Sequence, residues 1–372
     1  MELIKKYALL ALIIMVSFST AMASESPVDE EGENGDESVH ATAAGEEFNP
    51  GEMILHHIAD SHDWHFATVG EKGHETHLHI PLPVILYSTE RGLEVFSSNK
   101  FVNEATGHPD ILNGVYKEKG LSIEHGHISV IGNKDAHLLD VSITKNVASS
   151  LIGATLLIVV FFTVAARYKK GALSAPRGIQ SFFEPIIIFV RDDVAKNFIG
   201  AKYATYLPYL LTLFFFIWFN NLLGLFPGGA NLTGNINVTF TLAVLTFLIT
   251  NLSANWHYWK HILWTPGIPL PLRIIILPIE IVGIITKPFA LMVRLFANIT
   301  AGHIIILSFI GLIFIFQSIA IAPLSVAFGL FMNVMELLVA ILQAYIFTML
   351  TAMYIGSAIE DHGHEPDLDH GH

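Results

Sequence analysis

Between Arg273 and Pro323 the sequence is almost uninterruptedly apolar, with three full charges inside it: Glu280, Lys287 and Arg294. If helical, this run extends about 75 Å at about 1.5 Å per residue, against about 30 Å for the hydrocarbon of a bilayer. It therefore makes either two steep spans or one long, strongly tilted helix with a bend. The charge rule does not decide between them, because no Lys or Arg occurs after Arg294. Arg294 lies too far from either end of the run to reach water along its own side chain. A fixed charge near mid-bilayer costs roughly 2.5–3.5 kcal/mol on insertion scales, and guanidinium stays protonated at any physiological pH. A chain that keeps such a charge is most simply using it.

The rest of the 372-residue chain fits that reading. With 52% hydrophobic residues, 14% charged residues and a mean hydropathy of +0.53, it is too apolar for an ordinary soluble protein. Several stretches exceed the roughly 18 apolar residues that mark a spanning helix. The net charge of −13 owes much to acidic residues before 145 and after Ile359. The absence of cysteine excludes disulfide and thiol chemistry.

Residues 1–23 read as a secretory signal: Lys5 and Lys6 precede an apolar stretch, and Ala21-Met22-Ala23 forms an A-x-A site. The alternative is an uncleaved first helix, and either way the following segment, 24–145, is exported. Residues 24–45 have the acidic, small-residue composition of disorder. From Phe48 to about Val141, short apolar alternations such as Leu78 to Tyr87 predict a small, β-rich, water-exposed unit. Its eleven histidines invite a metal reading, since His-x-His and His-x-x-His can place two imidazoles on one ion. The spacings settle into no repeated pattern, and titratable exposed histidines are the reading adopted, with no metal site.

Apolar membrane elements and one interfacial helix follow within 146–359, with the run after Arg273 counted as one element or two. The first span, about Val147 to Ala166, precedes Arg167, Lys169, Lys170 and Arg177, a cytoplasmic loop by the positive-inside rule. Gln180 to Ile199 reads as an amphipathic interfacial helix. Tyr203 to Phe226 crosses back, and Ile236 to Ala254 returns to an interfacial belt of Trp256, Trp259 and Trp264. After Pro323 comes a last helix, Leu324 to Ile359, and an acidic, His-containing tail, 360–372.

Glu280, Lys287 and Arg294 are spaced by seven, and Asn298 follows Arg294 at i+4, so these fall along one side of a helix. Asn333, Glu336 and Gln343 follow the same logic in the last helix. Two such helices side by side enclose a line of groups able to pass protons or hold water. Glu336 and His303 exchange protons; Gln343 and Asn298 only orient water. Interhelical glue is the plain alternative for a lone Asn or Gln. Arg294 is neutralised by Glu280, by Glu336, or by a carboxylate of another protein.

Arg294-Leu-Phe-Ala-Asn-Ile-Thr-Ala-Gly-His303 resembles the signature of subunit a of the F-type ATP synthases. Glu184-Pro-Ile, Asn221-Leu-Leu-Gly-Leu-Phe-Pro227, Lys287-Pro288 and Leu342-Gln343-Ala344-Tyr345 match other parts of that family in order, from about Val147 to Ile359. The resemblance implies five membrane elements plus the interfacial helix in a proton-channel domain, 146–359, the last two elements forming a long tilted hairpin, with the C-terminus on the cytoplasmic side of a bacterial inner membrane. It makes Arg294 the essential arginine facing the ring of c subunits. Asn298, His303, Glu336 and Gln343 would line the outer half-channel and Glu280 the inner one. The implied partners are the c ring, the b subunits of the peripheral stalk, the F1 sector indirectly, lipid and protons. Neither a cofactor nor nucleic acid is among them, and the chain is not itself an enzyme. A short part around His56-His57-Ile58 is similar to that family's external helix; the rest of the N-terminal segment has no counterpart there.

Rival classes fit less well. A stand-alone secondary transporter or channel using Arg294 predicts internal repeats and paired broken helices, which the sequence lacks. A metal-handling membrane protein needs paired intramembrane ligands, and His303 is alone. No P-loop pattern is present for nucleotide. The histidine reading predicts that equilibrium dialysis of the 24–145 segment against micromolar Zn²⁺ shows no stoichiometric binding; retained zinc would reinstate the metal site.

Overall fold

The structure is a computed structural model that describes residues 60–69, 76–89, 91–103, 114–124, 126–132, 138–170, 177–226, 228–264, 269–316 and 321–360. The signal sequence, the acidic stretch 24–45, His56-His57 and the tail beyond 360 lie outside the described residues.

The expected β-rich unit consists of eight short strands: β1 Asp63–Val69, β2 Thr76–Pro81, β3 Pro83–Ser88, β4 Gly92–Ser97, β5 Val115–Tyr116, β6 Leu121–Glu124, β7 His127–Val130 and β8 Leu139–Asp140. They form three antiparallel sheets in the orders β1-β2, β4-β3-β8 and β5-β6-β7. Strict alternation along β3 turns Val84 and Leu86 inward. There they meet Phe101, Leu121 and Ile123 in a small core. Among the described residues no group of three or more potential ligands is placed to hold a metal ion.

Seven helices follow: α1 Lys145–Lys170, α2 Ile179–Phe189, α3 Tyr203–Gly224, α4 Ile236–Leu252, α5 Trp256–Leu263, α6 Leu270–Phe316 and α7 Ala322–Ile359. A π-helical segment, Val190–Lys196, extends α2 to Ile199. Among the described residues, four helical stretches are long and apolar enough to cross a membrane, and five if α4 and α5, bent by 101° at their junction, count as one broken span. The expected count of membrane elements is met. The ambiguity over the long apolar run is also resolved, since α6 is one helix of 47 residues with Pro278 and Pro288 inside it. At about 1.5 Å per residue it reaches about 70 Å, more than twice the hydrocarbon thickness. Pro323 sits in the first turn of α7, where a missing N–H is tolerated.

The bundle is organised around α3, which is apolar on all sides and buried over most of its length. Phe214, Phe215, Trp218 and Phe219 stack among themselves and against Phe161 of α1 and Phe183 of α2. Small residues bring helices close, as expected where dispersion rather than dehydration drives association. Gly153 of α1 lies directly against the Asn220 side chain, and Gly356 of α7 against the Phe198 carbonyl.

Hydrogen bonds fix both ends of the bundle. Trp64 Nε1 donates to the Gly228 carbonyl (2.6 Å), tying β1 to the loop between α3 and α4. At the other end of α4, the Asn255 backbone N–H donates to Ala358 O (2.9 Å) and its side chain to Ile359 O (2.8 Å). The β unit and the end of α7 therefore lie on opposite faces of the bundle. Gly356→Val would force a branched side chain onto the Phe198 carbonyl. We expect about 1–3 kcal/mol of destabilisation from such overpacking, read as a lower Tm of the detergent-solubilised protein.

Candidate functional site

Arg294 stands near the middle of α6, on its exposed face, and Asn298 follows one turn on, also exposed. Among the described residues no carboxylate forms an ion pair with the guanidinium. Apolar neighbours on the uncovered faces of α6, Phe289 and Val293 among them, are exposed as well. Lys287, seven residues earlier on the same side, is half-buried, with its ammonium 5.5 Å from the Tyr354 ring centre. Glu280, a further seven back, is half-buried and interacts electrostatically with Tyr258 of α5. The expected line Glu280, Lys287, Arg294, Asn298 therefore exists as a stripe. Of its members, only Arg294 and Asn298 face away from the protein.

His303 and Glu336 behave differently. Nine residues from Arg294, His303 falls about 180° around the helix at about 100° per residue. It points inward, and its Nδ1 pairs with Glu336 Oε1 of α7. Its Nε2 donates to the Gly224 carbonyl at 3.2 Å. A carbonyl only accepts, so Nε2 carries hydrogen, and the His303–Glu336 contact holds one shared proton, either on the imidazole or on the carboxyl. Glu336 is 5% exposed, and its Oε2 has no hydrogen-bond partner among the described residues. Gly302 packs closely against the pair, since a Cβ there would come within 3.1 Å of the Glu336 carboxyl carbon. Gln343, two turns along α7 from Glu336, is buried at 4% exposure. Asn333 is exposed, so the enclosed polar face of α7 comprises Glu336 and Gln343 without it.

Asn298 and His303 do not share a face. Five residues separate them, about 140° around a helix, so a single lining that holds both must pass around α6.

Several groups with no assigned role in the sequence reading complete the site. Asn221 of α3 donates to the Ala340 carbonyl of α7 (3.2 Å) and accepts from Thr233 (2.6 Å). Thr300 of α6 donates to the Gly234 carbonyl (3.4 Å). The loop from Leu225 to Asn235 is thus pinned between α3, α6 and α7, and it backs the His303–Glu336 pair. Asn220-Asn221 at the end of an apolar span is the signal that marks it; the carbonyls carry none.

Residues 147–356 match the family described as ATP synthase A chain, and residues 53–148 match one described as a domain of unknown function. ATP synthase subunit a of Chloroherpeton thalassium is 50% identical over 241 residues, covering 63% of this chain and 71% of its own length. ATP synthase subunit a 2 of Chlorobaculum tepidum is 39% identical over 379 residues, covering 94% of this chain and 91% of its own. A further subunit a 2, from Prosthecochloris aestuarii, is 51% identical over 238 residues, or 62% and 73% of the two chains.

If the shared proton matters, Glu336→Gln should lower proton conduction in membrane vesicles while leaving the subunit folded, because the amide keeps the shape but exchanges no proton. Gly302→Ala should produce a similar loss by pushing the Glu336 carboxyl aside, at about 1–3 kcal/mol of strain. Conduction equal to wild type in both would separate the pair from ion movement.

Proposed function

The chain belongs to the ATP synthase A chain family, and on that premise we propose that Arg294 is the group at which passing rotor carboxylates give up and regain their protons. In this reading the chain is the proton-translocating stator subunit of the Fo sector, a non-catalytic partner of the c ring. The observation that carries it is the placement of Arg294. A permanent cation stands in mid-helix on an uncovered, apolar-flanked face, with no carboxylate paired to it among the described residues. The partner that makes such a charge tolerable in a membrane is an anion from outside the chain. A c-subunit carboxylate fits, because a nearby cation lowers a carboxylate pKa and releases its proton.

The inward pair His303–Glu336, with Gln343, then serves the outer half-channel, and Asn298 stands beside Arg294 where that route meets the rotor. Glu280 serves the half-channel open to the cytoplasm. The position of His303 opposite Arg294 supports a division of labour. Protons are exchanged behind α6 and delivered around it, while the guanidinium blocks direct passage between the two half-channels. Rotation becomes the permitted way across.

Orientation follows the positive-inside rule for Arg167, Lys169, Lys170 and Arg177. The 24–145 segment and the Gly224–Asn235 loop then face outward, and Ile359 and the tail face the cytoplasm of a bacterial inner membrane. Residues 1–23 act as the export signal, and 146–359 form the proton-conducting domain. The b subunits of the peripheral stalk hold this stator against the ring, and the F1 sector is reached through them.

Arg294→Ala tests the reading in membrane vesicles of the assembled complex. ATP-driven acidification should vanish. Pumping at wild-type rate would overturn the assignment. Arg294→Lys should retain less than wild type, because an ammonium keeps the charge but loses the planar, delocalised fork.

A further inference from the structure

At the junction between the β unit and α1, six titratable side chains gather. Asp60 Oδ1 accepts from the Asn146 backbone N–H (3.0 Å) and so caps the start of α1. Lys145, buried beside it, interacts electrostatically with both Asp60 and Asp63. Asp63 Oδ2 pairs with His79 Nδ1 at 3.0 Å, and Asp140 Oδ2 with His62 Nε2 at 3.1 Å. Burial pushes the Asp60 carboxyl above the usual carboxylate range, against the opposing pull of the Asn146 N–H and Lys145. Asp140 is also desolvated, but its bonds to His62 and Ser142 outweigh that and hold it low. The side chains of His79 and Asp140 keep 21% and 25% of their surface in contact with solvent. The cluster therefore opens to water on one side and to the head of α1 on the other.

From that head a polar face runs inward. Asn146, Ser150 and Gly153 lie at i, i+4 and i+7, one side of α1, and Asn146 and Ser150 are buried at 2% and 1% exposure. Gly153 brings this face against Asn220 of α3. Beyond it Asn221 reaches Ala340, one turn from Glu336. A row of buried atoms along this path has no hydrogen-bond partner among the described residues: Asp60 Oδ2, His62 Nδ1, Ser150 Oγ, Asn220 Oδ1 and Glu336 Oε2. His62 is itself only 6% exposed. Buried polar atoms are rarely left without partners, and a row of them is the lining that a chain of water molecules satisfies.

We infer that the β unit forms the mouth of the outer half-channel: protons are collected by the Asp60–Asp63–His79 and His62–Asp140 groups around Lys145 and pass along the Asn146–Ser150 face of α1 and across Asn220 to Glu336. The inference rests on the reading of Glu336 as an outer half-channel group. Carboxylates and imidazoles at the mouth take and release protons, whereas Ser150 and the asparagines only orient water between them. Each transfer moves one proton between oxygen or nitrogen lone pairs and leaves the donor free to take the next from the aqueous side.

The chain has no cysteine, so Ser150→Cys places one thiol of this subunit at the middle of the route. Passive proton conduction is measured in vesicles carrying the whole complex stripped of F1, with and without Ag⁺. Silver should cut conduction by Ser150→Cys to about a tenth or less of its silver-free rate. The exposed neighbour Leu151, as Leu151→Cys, should conduct alike in both. Equal conduction by Ser150→Cys with and without silver overturns the route. Gln343→Cys in the same assay separates the two levels. Block there but not at Ser150 leaves the half-channel and removes this mouth, and block at neither removes both. Asp60→Asn offers a second reading that does not depend on the thiol. Loss of a collecting carboxyl should slow ATP synthesis more as the outer pH rises and protons become scarce, with the inner pH profile unchanged. An equal loss at every outer pH would show a purely structural cap and overturn the collecting role.

Discussion

The membrane part of this protein is organised by one constraint: a buried polar group needs a partner, from the bundle or from water. The His303–Glu336 contact is where that constraint is met most tightly. The Gly224 carbonyl at the end of α3 fixes the imidazole from one side, Gly302 leaves room for the carboxyl on the other, and Asn221 and Thr300 hold the loop that follows that carbonyl. α3, α6 and α7 and the loop before α4 are registered to one another through this set of bonds. Arg294 stands apart from this set, on the face of α6 that the bundle leaves uncovered.

Much of this architecture is legible in the sequence. The spans, the amphipathic stretch and the aromatic belt follow from hydropathy and loop charge, because in a bilayer those quantities act almost alone. The long run after Arg273 is not legible by the same means, since two spans and one tilted helix satisfy hydropathy equally. The single helix of 47 residues is set by packing against α4 and α7. Spacing by seven identifies the stripe through Glu280, Lys287 and Arg294. Asn298 and His303 stand about 140° apart around α6, an angle that their spacing of five already carries. Asn333 falls out of the enclosed face for a similar reason, standing at the rim of the sector that Glu336 and Gln343 define. Backbone carbonyls such as Gly224 O and Gly228 O carry no sequence signature, so neither the backing of the imidazole nor the link to Trp64 has a residue-level signal.

The β unit shows a different balance. Its alternation along β3 and its small core are those of an ordinary soluble fold, and buried polar contacts join it to the head of α1. The histidines in view there, His62 and His79, are each held by a carboxylate. The Trp64–Gly228 bond then seats the unit on the loop that follows α3.

The uncovered sides of α6 and α7 carry a further consequence. Exposed large apolar residues run along both helices, from Ile274 to Phe316 and from Leu324 to Leu342, with a guanidinium among them. A copy of this chain without neighbours presents that charge to lipid, and the penalty disappears only when an anion-bearing surface closes over it. Completion of the fold and construction of the larger machine are then thermodynamically one process. The steady-state amount of the subunit should be set by the supply of whatever covers that hairpin, through mass action, rather than by its own rate of synthesis.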